Sequence, residues 1–445
     1  MTEADIRVLP PLSEWTEKTH PGVELSPAGR RFAAHLVAEG EPRIYVDELR
    51  DGLRVCARSW VGVVRLDSVE IRVIPKLAGN HLGLVRLLEF VSGLEGLWRP
   101  GGQASLRIVG DSLFDLVCLL FAEACEGVIR RGLLTDYVEH EDALAMVRGR
   151  ILPDRQVLKR FGQLDRVHCR FDELEYDVDE NRLLTAALRA ISPRVRSPFL
   201  HRRVARLRAI LEPLCDPTQL DLRMRGSITY NRLNTHYRRA HHLANLLLKG
   251  MGVDDIVTAG ADQSFAFLLD MNPLFEQFVT KLVRRVLPAP EYRVRAQVAE
   301  RSIVWDTGAQ RPYGKVIPDL LVEWRDARLP IDAKYKLYDE RHLDPGDVYQ
   351  LFLYAYALGI LPEGRAPAAV VLYPSSGPAR PPLQLRIQRL GGREGADILS
   401  LGIPIPAALD ELRAQADGPF CRALRSRIAE FLGLTAARQD ELRNI

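Results

Sequence analysis

The sequence predicts a mixed α/β (α+β) multidomain chain, and three observations carry that reading. Residues 43–77 alternate apolar and polar side chains at period two. Residues 181–211 follow a helical pattern that holds eight Arg and no acid. Beyond Gly260, short β-branched runs alternate with helical ones. With 445 residues there is material for two or three domains. We place a β-rich N-terminal domain at 1–165, a helical basic linker at 166–259 and a C-terminal α/β domain at 260–445.

The first stretch, RIYVDELRDGLRVCARSWVGVVRLDSVEIRVIPKL, repeats Val, Ile, Trp and Tyr between DG and LD turn signals and reads as antiparallel strands. Leu82–Leu97 and Ser112–Leu134 change to the i, i+3, i+4 spacing of helices. Tyr137–Arg170 is mixed and leads into an acidic, turn-rich FDELEYDVDE. Asn181–Leu211 is helical, with Arg at 182, 189, 194, 196, 202, 203, 206 and 208. Its positive charge suits phosphate contacts, and Arg194, Arg196, Arg202, Arg203 and Arg206 are the candidates for DNA binding. Asn231–Lys249 is an amphipathic helix whose His241-His242 pair has no ligand spacing around it and reads as packing. Asn272–Val286 is a helix with Asn272 as its cap and Pro273 in the first turn. Strands are expected at Tyr292–Glu300, Ser302–Trp305, Val316–Trp324, Leu329–Leu337 and Ala368–Tyr373. A helix at Asp347–Leu358 lies between the last two, and Pro374–Pro382 is a loop.

Composition excludes several classes. At 47% hydrophobic and 27% charged residues, the chain is neither disordered nor a coiled rod. Six scattered Cys without a CxxC pair argue against a disulfide scaffold or zinc site and fit a reducing compartment. The N-terminus lacks a signal-peptide pattern, and no apolar run reaches the ~18 residues of a membrane span, so a cytoplasmic protein is expected. A net charge of +3 says nothing about nucleic acid, but the cations divide into 53 Arg and 8 Lys. A retained Lys therefore stands out.

One such Lys sits in Ile331-Asp332-Ala333-Lys334, thirteen residues after Ile317-Pro318-Asp319. Strand residues two apart share a face, so Asp332 and Lys334 point the same way. RDARLP reads as the tip of a hairpin. With the turn centred at 327–328, Asp319 falls opposite Lys336 on that same face. Two convergent carboxylates bind a hard cation such as Mg²⁺, which acidifies water and neutralises charge on a phosphate. Lys334 would orient the water or stabilise developing charge. Gln350 and Tyr354 share one helical face and are placed to reach a phosphate beside the metal. Glu276, on MNPLFEQFVTKL, is a candidate third metal ligand.

The order of these pieces matches the PD-(D/E)xK nuclease core in its RecB-like form. The likeness extends further, because FLLDMNPLFEQFV, IDAKYK, VVLYPSS, WVGVVRL…IRVIPKL, VRGRI (147–151) and YDVDENRLLTAAL (176–188) resemble the McrC family over nearly the whole chain. That resemblance implies a restriction-endonuclease-like C-terminal domain with Asp319, Asp332 and Lys334 as catalytic residues. It also implies a Mg²⁺-dependent endonuclease subunit of a modified-cytosine-dependent restriction complex, acting on double-stranded DNA. Its partner would be an McrB-like AAA+ GTPase hexamer that receives the N-terminal region and reads the modified base. The chain itself has no GxxxxGK[ST]; Gly308–Val316 comes nearest and lacks both the spacing and the Ser/Thr. Two other readings use the same residues: a non-cleaving activator of a AAA+ ring, and a stand-alone RecB-like repair nuclease.

Overall fold

The computed structural model describes residues 6–38, 43–76, 78, 81–94, 112–163, 165–219, 228–252, 264–336, 338–339, 342–362, 365–375, 382–388, 395–414 and 418–433. Along the chain run β1 (Arg7–Val8), β2 (Leu12–Ser13), β3 (Glu17–Pro21), α1 (Pro27–Ala38), β4 (Ile44–Leu49), β5 (Gly52–Ala57), β6 (Trp60–Leu66), β7 (Val69–Ile74), α2 (His81–Ser92) and α3 (Leu113–Arg131). Next come β8 (Asp136–Leu144), β9 (Arg150–Ile151), α4 (Pro153–Arg160), β10 (Val167–Glu175), α5 (Asp179–Ile191), α6 (Pro198–Leu211) and α7 (Arg238–Gly250). The remainder comprises β11 (Phe265–Asp270), α8 (Met271–Val286), β12 (Arg293–Ala296), β13 (Glu300–Asp306), β14 (Arg311–Val316), β15 (Leu320–Trp324), β16 (Ala327–Ala333), α9 (Pro345–Leu358), β17 (Ala368–Pro374), β18 (Leu383–Ile387), β19 (Ala396–Ile403), α10 (Ile405–Arg413) and α11 (Pro419–Phe431).

The expected strands at 43–77 are present, but they divide between two sheets. One is ordered β3-β5-β4; the other is β1-β7-β6-β11, with β2 also on β7. WVGVVRL and VEIRVI meet through a turn at Asp67, whose φ of +56° is one that Asp tolerates. The sheet then takes its edge strand from far along the chain: Phe265–Asp270 pairs antiparallel with β6, Phe267 opposite Val63. A boundary at 260 is therefore corrected, since the first strand after it belongs to the N-terminal sheet. Gly62 permits this approach, with φ +146° and the Phe267 carbonyl oxygen 1.9 Å from where a Cβ would stand.

Helix α3 is apolar on nearly every side because it is buried; Ser112 caps it by accepting from Asp115 N. The helical stretch 181–211 is two helices, α5 and α6, interrupted where Pro193 and Pro198 cannot continue the ladder. The acidic FDELE is strand β10 rather than turn, paired along nine residues with β8. Asp270, not Asn272, caps α8, its Oδ1 accepting from Asn272 N at 3.0 Å. Leu274, Phe275, Phe278, Leu282 and Val286 line the buried face of that helix. Most of the expected 374–382 loop lies outside the described residues.

The C-terminal sheet runs β12-β15-β16-β17-β19-β18, with β16-β17-β19 parallel and the outer pairs antiparallel. Leu320, Val322, Leu329 and Ile331 face the large core shared with α8. Leu321, Ala369 and Val371 face a second cluster with Leu351, Tyr354 and Leu358 of α9. This alternation decides which side chains of β16 are available for chemistry.

Candidate active site

Strands β15 and β16 pair with Leu320 opposite Ile331 and Trp324 opposite Ala327, so the turn is Arg325-Asp326. The expected turn at 327–328 is displaced, and Asp319 stands opposite Asp332 rather than Lys336, one step beyond the Leu320–Ile331 pair. The displacement is even in residue count, so the shared face survives it. Asp332 is buried on β16, on the α9 side.

Asp319 is fixed at both ends. Its Oδ2 accepts from Ala333 N at 2.8 Å and its carbonyl accepts from Gln297 N at 3.0 Å. Burial and then the neighbouring Asp332 charge push its carboxyl up to about 7. Burial also raises Asp332, against the pull of Lys334. Asp332 Oδ2 lies 3.2 Å from Lys334 Nζ, at ion-pair distance but outside hydrogen-bond geometry, so this buried oxygen has no hydrogen bond. Two carboxylates that each resist ionisation, one with an unsatisfied buried oxygen, fit a hard divalent cation.

Lys334 Nζ donates to Gln350 Oε1 at 2.8 Å and lies 3.8 Å from Asp347 Oδ1. Gln350 Nε2 donates to Tyr354 OH at 2.9 Å, and that hydroxyl donates to the Ile317 carbonyl at 2.8 Å. The i, i+4 pair on α9 thus links Lys334 to the loop that presents Asp319. Tyr354 is buried, so the expectation that both residues reach a phosphate is corrected: Tyr354 is a brace, and Gln350 holds the lysine.

Glu276 is close, but not as expected. Gln297 Nε2 donates both to Glu276 Oε1 and to Asp319 Oδ1 at 3.3 Å, so an amide occupies the gap where a third ligand would converge. Among the described residues no three His, Cys, Asp or Glu side chains stand together at metal-ligand spacing. Sequence reasoning missed Gln297, which holds a positive φ of 52° beyond β12 and carries no motif. It missed Asp347 as well, a buried carboxylate whose Oδ2 takes Lys336 Nζ at 2.7 Å and the Tyr338 hydroxyl. It also missed Tyr335, whose hydroxyl donates to both carboxylate oxygens of buried Glu14, at 2.8 and 3.0 Å.

Of the arginines expected to bind DNA, three are engaged within the fold and two are exposed. Arg194 is buried, donates to the Ala190 carbonyl and lies over the Phe265 ring. Arg196 is 3.5 Å from Glu70, and Arg203 holds Glu126 through two hydrogen bonds of 2.7 and 2.8 Å. Arg182, Arg189 and Arg208 are paired with Asp177, Glu212 and Glu212. Acids from outside the stretch neutralise what looks unopposed in sequence. Arg202 and Arg206 remain exposed, Arg202 turned back to the Pro198 carbonyl. His241 is packing, as expected: it is fully buried between Tyr230 OH and the Glu180 carbonyl, and burial lowers its pKa to about 4.

The fold and site define a mixed α/β protein whose C-terminal sheet presents a buried carboxylate, Asp332, a half-buried one, Asp319, and a lysine on one face. Residues 55–374, well over half of the chain, match the family of McrBC 5-methylcytosine restriction system components, and the chain belongs to that family. Among solved structures it is similar to a chain of the half-complex from a tetradecameric assembly of Thermococcus gammatolerans McrB AAA+ hexamers with bound McrC. That likeness has 20% identity and a TM-score of 0.62, covering 92% of this chain and 100% of that one. A chain of the Thermococcus gammatolerans McrBC complex solved by cryo-EM is 22% identical at a TM-score of 0.48, over 64% of this chain and 88% of that one. No curated protein matches the chain.

Proposed function

We propose that the chain is the Mg²⁺-dependent endonuclease subunit of a modified-cytosine-dependent restriction complex, hydrolysing phosphodiester bonds of double-stranded DNA in the cytoplasm. The observation that carries this is the placement of Asp319, Asp332 and Lys334 on one sheet face, with both carboxyls raised by burial. Asp319 and Asp332 would hold the ion, with Glu276 and Gln297 behind Asp319. When bound, Mg²⁺ supplies a water of lowered pKa and charge neutralisation at phosphorus. The chain's own residues do the rest. Lys334 presents an ammonium beside Asp332, where it orients the attacking water and stabilises charge that develops on the phosphate. Gln350 fixes that ammonium, and Tyr354 ties the Asp319 loop to the same helix, so carboxylate and lysine keep their separation as substrate enters.

A AAA+ GTPase hexamer is the proposed partner, and the N-terminal part offers a surface for it. The β8–β10 ribbon ends in exposed apolar groups: Met146 and Leu158 are each 82% exposed and Phe161 is 85% exposed. Exposed apolar patches of this kind mark protein contacts. Six free cysteines agree with a reducing compartment. Among the described residues no helix is long and apolar enough to cross a membrane.

The test is reconstitution with the AAA+ partner, nucleotide, Mg²⁺ and methylated duplex. Asp332→Asn and Lys334→Ala should abolish cleavage while stimulation of the partner's hydrolysis persists. If both variants still cut DNA, the site assignment is wrong. If the unmodified complex cuts nothing, the nuclease reading itself fails.

A further inference from the structure

We propose that the hairpin β13–β14 is a DNA-gripping arm, holding the backbone of duplex DNA beside the Asp319–Asp332 site. The proposal rests on the nuclease reading and places a DNA contact apart from the largely paired α5–α6 arginines.

Among the described residues these two strands pair only with each other, as a ribbon separate from the six-stranded sheet. Ile303 and Val304 anchor it against the cluster under α9. Val316 is buried in the same cluster, and the large polar and aromatic side chains point outward. Arg301, Arg311 and Lys315 are exposed, as are Trp305 at 47% and Tyr313 at 78%. A two-stranded ribbon is marginal in water, and aromatics left on its outer face do nothing to stabilise it. They suit a partner that offers both apolar faces and anionic groups.

Charge points to which partner. Among the described residues no carboxylate lies at ion-pair distance from Arg301, Arg311 or Lys315, in contrast to the matched arginines of α5 and α6. Of the ribbon's own acids, Asp306 is occupied by its turn, accepting from Gly308 N at 3.0 Å and Ala309 N at 2.9 Å. Glu300 pairs with Val316 and Val304 with Gly314, and the register shifts between them, so Arg301 and Lys315 both belong to this irregular stretch of the ribbon. Cations without a carboxylate partner on one short ribbon draw an anion from outside it. Phosphate is that anion, and cations interleaved with aromatics hold a backbone without reading its bases.

Position selects DNA over an acidic protein. Strand β14 runs directly into Ile317-Pro318-Asp319. Lys315 and Asp319 are four residue steps apart, at most about 14 Å of extended chain between their Cα atoms. At about 3.4 Å per nucleotide, the Lys315 ammonium stands within a few nucleotides of the phosphate at the carboxylates.

The test is binding of the full-length chain to a fluorescein-labelled duplex in EDTA, followed by anisotropy across a salt series. The triple variant Arg301→Ala, Arg311→Ala, Lys315→Ala should bind at least roughly tenfold more weakly at low salt, with the slope of log K against log salt reduced by about 0.9 for each phosphate no longer neutralised. Lys315→Glu alone, a single exposed change, should weaken binding more than Lys315→Ala does. Arg202→Ala with Arg206→Ala should leave the slope unchanged. A triple variant with the wild-type slope overturns the proposal. So does a wild-type chain that binds no duplex at low salt, or abolition of all binding on changing Arg202 and Arg206. Weakened binding by the triple variant of a chain that never cleaves would sink the nuclease reading and leave the grip standing.

Discussion

Raising the pH from 6 to 8 should tighten Mg²⁺ binding at Asp319 and Asp332 about tenfold, because the cation competes with a proton. The Asp319 carboxyl is held up to about 7, first by burial and then by the charge of Asp332. At pH 6 roughly a tenth of such groups are ionised and at pH 8 roughly nine tenths, since each pH unit is a factor of ten in the proton equilibrium. The sign is fixed by the direction of the shift. A raised carboxyl binds its proton more tightly in the folded chain than in the unfolded one, so the metal-free fold loses stability as pH climbs from about 4 to about 7. Divalent cation should restore that stability, most strongly at the alkaline end. The assay is calorimetric titration of the chain with Mg²⁺ at pH 6, 7 and 8 at constant ionic strength, with thermal midpoints measured alongside. Asp319→Asn should bind weakly and with a shallower pH profile, set by the remaining raised carboxyl of Asp332. An affinity that does not change from pH 6 to pH 8, or a steep profile that persists in Asp319→Asn, would refute the argument.

Three further changes probe the scaffold. Gly62→Ala puts a Cβ 1.9 Å from the Phe267 carbonyl oxygen at a positive φ; it should destabilise by about 3 kcal/mol or more, seen as a lowered unfolding midpoint. Tyr354→Phe removes the donor to the Ile317 carbonyl and should reduce stability by about 1–2 kcal/mol. Cleavage should slow in the same variant, and full activity there would remove the bracing role of that hydroxyl. Tyr335→Phe takes a donor from both oxygens of buried Glu14 and should reduce stability by about 1–3 kcal/mol in urea unfolding.

What the sequence displays of the site is its local chemistry. Asp332-Ala333-Lys334 shares a face by strand geometry alone, and Pro318-Asp319 is near enough in the chain to join it. The register is less legible, because nothing in RDARLP marks Arg325 as the residue that adopts φ +52° and closes the turn early. Gln350 and Tyr354 are visible as an i, i+4 pair, but which way that face turns is a packing outcome, decided by Leu351, Ala355 and Leu358 in the cluster beneath the sheet. Gln297 is invisible beforehand, since its position depends on pairing between β12 and β15. The arginine run misleads for a related reason. Its counter-charges, Glu70, Glu126 and Asp177 among them, come from other segments, and a window along the chain cannot see them. Strand β11 reads as an apolar run beside Asp270, and only the fold reveals that its partner lies some two hundred residues earlier.

That strand has a consequence for how such chains can be exchanged. β11 completes the N-terminal sheet and passes without a linker into α8, where Met271 N donates to the Ser59 carbonyl and Asn272 reaches the Ser59 hydroxyl. A breakpoint at residue 260 would carry the strand away with the wrong partner and leave β6 as a raw sheet edge, open to pairing with other chains. Recombination that shuffles catalytic halves between relatives must therefore cut after the strand and accept a foreign helix start, or transfer both halves together.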